Sequence, residues 1–100
     1  MAESAERPVM CTYVTEHAEI KGSGRGHKGW IKLTGARVYY DHPFHSQADH
    51  TLNIDFINQD LGLDARVPVE LSAASARELV RAIEAALEDA EKSHLVEYDS

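Results

Sequence analysis

With a single cysteine, the 100-residue chain cannot form an internal disulfide, and a lone thiol fits a reducing compartment. Positive charge is scarce: ten Lys and Arg stand against 17 Asp and Glu, a formal charge of −7. Binding to a phosphate backbone needs a basic face, so nucleic acid is not an expected partner. Anionic membrane surfaces are disfavoured for the same electrostatic reason. No apolar run approaches the roughly 20 residues of a membrane-spanning helix, and the opening "MAESAERPV" has no apolar signal core. A cytoplasmic location follows as the expectation.

What is present is ordinary for a globular protein, with 43% apolar and 27% charged residues. The length suits one domain. Residues 1–9 read as a flexible leader, 10–92 as the domain and 93–100 as a tail. Thr, Val and Tyr alternate in "MCTYVTEHAEI", which predicts a strand over 10–20. The glycines of "KGSGRGHKG" predict a loop. "WIKLT" (30–34) reads as a short strand, turned by Thr34-Gly35 into "ARVYYDH" (36–42), which Pro43 stops. "HTLNIDFIN" (50–58) alternates most clearly, and "ARVPVEL" (65–71) makes a fifth strand, with Pro68 marking an edge or bulge. The period then changes. Ala76, Leu79, Val80, Ile83, Leu87 and Ala90 form one helical stripe running to about residue 92, with Ser72 or Ser75 able to cap it. The expected fold is α+β: a five-stranded antiparallel, barrel-like curled sheet with one C-terminal helix packed on it.

His42, His45 and His50 fall within nine residues, half of the six histidines in the chain. Side chains alternate across a strand. His50 is therefore in phase with Leu52, Ile54 and Phe56, and His42 with Val38 and Tyr40; both are expected to point inward at one rim. If the two strands are antiparallel neighbours, His45 lies in the loop between them and all three imidazoles can converge.

A histidine in a polar loop has a plain use as a solvated, turn-tolerant residue. Two inward-phased imidazoles bracketing one loop favour a stronger reading, a mononuclear site for Zn, Cu, Ni or Fe. Cys11 is a candidate fourth ligand, against its plain role as a small buried residue. Asp41 and Asp49 could orient the rings. Acid–base catalysis without metal needs one imidazole and leaves three unexplained. The glycine-rich run passes into "GWIKLT", a strand, and so lacks the helix N-terminus of a phosphate cradle. Its His27, Arg25 and Lys28 could serve in a lid. Trp30, Tyr39, Tyr40 and Phe44 are expected around the rim.

The segments "MCTY" (10–13), "GSGRGHKGW" (22–30), "VYYDHPFHSQADHTLNIDF" (38–56) and "ARVPVEL" (65–71) resemble a family of small bacterial proteins known only as a domain of unknown function. The resemblance spans nearly everything from Met10 to the helix and implies no reaction. Its members look as if they begin at the methionine of "MCTY". Its motifs coincide with Cys11, His42, His45 and His50.

The reading as a whole is a small metal-binding protein, expected to be a metalloenzyme activating water or dioxygen on a small organic substrate. A non-catalytic metal- or ligand-binding module is the alternative. A fold this small encloses a substrate poorly by itself, which suits a homodimer.

Overall fold

A computed structural model of the chain describes residues 14–98, with 63 and 64 given by backbone alone. Four strands and one helix follow in order: β1 (Glu16–Gly26), β2 (Gly29–Asp41), β3 (Thr51–Ile57), β4 (Arg66–Leu71) and α1 (Ala73–Lys92), with a short 3₁₀ turn at Gly62–Ala65. The sheet is an antiparallel meander in the order β1-β2-β3-β4. Its edges β1 and β4 come near each other without pairing, so the sheet is curled but not closed. The class is α+β as expected, with four strands instead of five and no barrel.

Two expectations fail for one reason. Thr34-Gly35 makes no turn, because Gly35 pairs with Glu19 on one side and Ile57 on the other. Hydrogen bonds on both edges outweigh the local turn signal, and 30–34 joins 36–42 as one strand. The glycines of "KGSGRG" are likewise in β1, opposite Leu33, Ile31 and Gly29. A Cβ on Gly24 would stand 3.0 Å from Leu33 Cδ1, so the missing side chain lets that leucine lie against the strand. The hairpin turns at His27-Lys28, with Gly29 at φ +117°. A one-residue bulge between Glu19 and Gly22 shifts the β1 register. The expected strand over 10–20 lies outside the described residues as far as residue 13, and β1 begins at Glu16.

Pro68 sits on β4, an edge strand, where its missing N–H breaks no ladder. The α1 start is as expected: Ser72 is the N-cap, and its Oγ accepts from Ser75 N–H at 3.1 Å. The helix ends at Lys92, with His94 in the left-handed region at φ 59° and Leu95 N–H donating to Ala90 O.

The register sorts the residues into two faces. Ala36, Val38 and Tyr40 on β2 stand beside Phe56, Ile54 and Leu52 on β3, which stand beside Val67, Val69 and Leu71 on β4. That apolar face looks toward α1. The opposite face carries Tyr39, Asp41, Thr51, Asn53, Asp55, Arg66 and Glu70. Contrary to the alternation argument, the polar face is the better covered one. Thr51, Asn53 and Asp55 are 2%, 5% and 8% exposed, whereas Leu52, Ile54 and Phe56 are only half-buried. Among the described residues the buried apolar ones are Leu33, Ala36, Ile57 and Ala65, and no α1 residue is buried.

Candidate functional site

The link from β2 to β3 (42–50) has no regular structure, and a carboxylate from β4 holds it in place. Glu70 accepts from the backbone N–H of Phe44 at 2.6 Å, of His45 at 3.1 Å and of Ser46 at 2.8 Å. Three successive amides around one anion make a concave nest. Those bonds, that of Ser46 foremost, hold the Glu70 carboxyl below its ordinary value. The clamp also lays Phe44 over β4, where the Arg66 guanidinium carbon lies 5.8 Å from the ring centroid.

Beneath the loop the polar face is internally paired. Arg66 Nε is 3.0 Å from Asp55 Oδ1, and the Tyr39 hydroxyl donates to Asp55 Oδ2 at 3.1 Å. Burial, and then the Asp55 charge, raise the Tyr39 pKa above its ordinary value, so the phenol stays protonated as the donor. Thr51 Oγ1 donates to Asn53 Oδ1 at 2.7 Å. Phe44, His45, Ser46, Arg66, Pro68 and Glu70 line an open cleft of about 500 Å³ on this side.

His42 and His50 meet at the rim, on the side of the apolar face. Their ring centroids are 4.5 Å apart and tilted by 32°. His50 also stacks on Tyr40 at 5.9 Å. His42 Nδ1 lies 3.0 Å from the Asp49 carbonyl oxygen. A carbonyl only accepts, so Nδ1 carries the hydrogen of this bond. The Asp41 carboxylate accepts from His42 N–H at 2.7 Å and fixes the residue at the strand end.

The expected triad thus divides. The structure brings His42 and His50 together and puts His45 in the cleft with Glu70 and Arg66. Cys11 lies outside the described residues. Among the described residues, no group of three or more His, Cys, Asp or Glu is placed to hold a metal ion. Asp49 orients His42 through its backbone carbonyl. Trp30 is 68% exposed at the hairpin end of β2, the end away from His42, so it does not flank the rim. The turn with His27 is at that same far end and forms no lid over the imidazoles.

Sequence reasoning missed Glu70, Asp55, Arg66 and Tyr39 as a group. The signal was present: Arg66 and Glu70 alternate with Val67, Val69 and Leu71, which places two charges on one face of β4. No helix among the described residues is long and apolar enough to cross a membrane.

Residues 10–96 match the model of a family of unknown function, DUF6295, and the chain belongs to that family. No curated protein matches the chain, and no solved structure does.

Proposed function

We propose that the protein binds one divalent transition-metal ion at the rim through His42 and His50, leaving other positions open to water or a small ligand. The observation that carries this reading is the ring pair itself. Two imidazole nitrogens about 2.0–2.1 Å from one cation put their ring centroids roughly 5 Å apart at tetrahedral angles; the separation here is 4.5 Å. The Asp49 carbonyl supports it further, since a backbone acceptor on one ring nitrogen is the usual means of aiming the other at a metal. Imidazole donors suit Zn, Cu, Ni or Fe. Open positions on such an ion favour activation of water or dioxygen against a small organic substrate.

Elemental analysis after loading with each of the four metals tests this. About one equivalent should bind, His50→Ala should abolish binding with the circular dichroism spectrum unchanged, and His45→Ala should keep it. Protein that refuses all four metals ends the proposal. Cys11→Ser separates two uses. Retention of the metal marks an open site suited to catalysis; loss marks a closed site suited to binding or delivery.

A second reading rests on the other side of the sheet. The cleft with Phe44, His45, Arg66 and Glu70 is concave, has an aromatic wall and carries charges of both signs. It fits a small polar ligand held without catalysis.

A further inference from the structure

α1 stands off the sheet. A groove of about 480 Å³ separates the apolar stripe of the helix from Val38, Tyr40, Leu52, Ile54 and Leu71. Leu79, Val80, Ile83 and Leu87 remain 42%, 49%, 51% and 46% exposed along a 20-residue helix. Both walls are apolar and both are only half covered. That is the pattern of an interaction surface, because isolated surface helices lay such a stripe on their own core.

The charges on the helix indicate the occupant. Arg77, Glu84, Glu88 and Glu91 run down one flank of the stripe, basic toward the N-terminus and acidic toward the C-terminus. The first turn holds no acidic residue. Lys92 in the last turn apart, this order opposes the helix macrodipole, which favours acids at the start and bases at the end, so an isolated helix gains little from it. An antiparallel copy does gain. With Ile83 crossing its own counterpart, Leu79 meets Leu87 and Arg77 comes level with Asp89 of the second copy; Glu88, on the flank that Arg77 occupies, stands one residue, about 1.5 Å of rise, from that level, twice by symmetry.

We infer that α1 is the interface of an isologous homodimer, in which antiparallel α1 helices pair along this stripe and close the groove over the apolar face. The interface stands apart from the metal reading, and either can fail alone.

The test is sedimentation of the full chain at tens of micromolar, together with three variants. The native chain should run at twice its 11.1 kDa. Ile83→Glu, at a half-exposed position, should give a folded monomer. Arg77→Glu should raise the dissociation constant several-fold, and the double change Arg77→Glu/Glu88→Arg should restore it. A native chain that stays monomeric overturns the inference, whether residues 1–13 or another protein then cover the groove. A dimer indifferent to Ile83→Glu overturns it equally. A dimer lost with Ile83→Glu but not rescued by the charge exchange overturns the antiparallel pairing.

Discussion

The two faces of the sheet divide the work of the molecule in opposite ways. The polar face is completed within the chain: Asp55 is shared by Arg66 and Tyr39, and Glu70 draws the 42–50 loop across the same side. The apolar face has the composition of a core but is left half open, with a helix leaning on its edge. Hydrogen bonds between named groups can be satisfied locally. Apolar burial needs area, and a chain of this size has little to spare. A small protein can therefore finish its polar network alone and leave its hydrophobic surface for a second molecule.

The largest effect should come from breaking the finished side. Asp55→Ala strips the Arg66 guanidinium and the Tyr39 hydroxyl of a common acceptor at a nearly buried position. A loss of about 3 kcal/mol in urea unfolding is expected. A loss below about 1 kcal/mol would mean that the pairing is as weak as a surface ion pair.

Next in size is the unfinished side. Ile54→Ala removes part of a half-buried side chain, and in a lone chain it should cost little. With the groove closed by a second copy the cost rises to about 2 kcal/mol, and the unfolding midpoint falls on dilution. A midpoint independent of concentration would argue that nothing covers this face.

The smallest effect concerns the Glu70 clamp. Its carboxyl is depressed in the folded chain, so its contribution is fully present above the ordinary glutamate value of 4.5 and lost as pH falls through the lower folded value. Amide exchange at Phe44, His45 and Ser46 should therefore stay slow relative to the intrinsic rate at neutral pH and quicken only below that range. Glu70→Gln should quicken it at neutral pH. Unchanged protection in that variant would show the loop to be held by something else.

The extent to which this arrangement could be read from the sequence follows from the range of the forces involved. The β3 alternation, the α1 stripe with its Ser72 cap and the meeting of His42 with His50 are short-range consequences of periodicity, and they were legible. The span of β2 was not, because Gly35 looks like a turn until strands on both sides are known to pair with it. The place of His45 was not legible either, since it depends on Glu70, 25 residues further along the chain. The phase of β3 was read correctly, yet the face it buries most is Thr51-Asn53-Asp55. That face is held by pairs such as Asp55 with Arg66 and Tyr39, which a binary pattern does not encode.

The division of the histidines between the two sides offers the most direct test of the metal site. In a titration with zinc, followed by NMR of the imidazole ring nitrogens, His42 and His50 should shift together and saturate at one equivalent. His45, on the cleft side, should stay unmoved. All six histidines of the chain drifting in parallel without saturation, or none responding, would contradict a two-imidazole site at the rim.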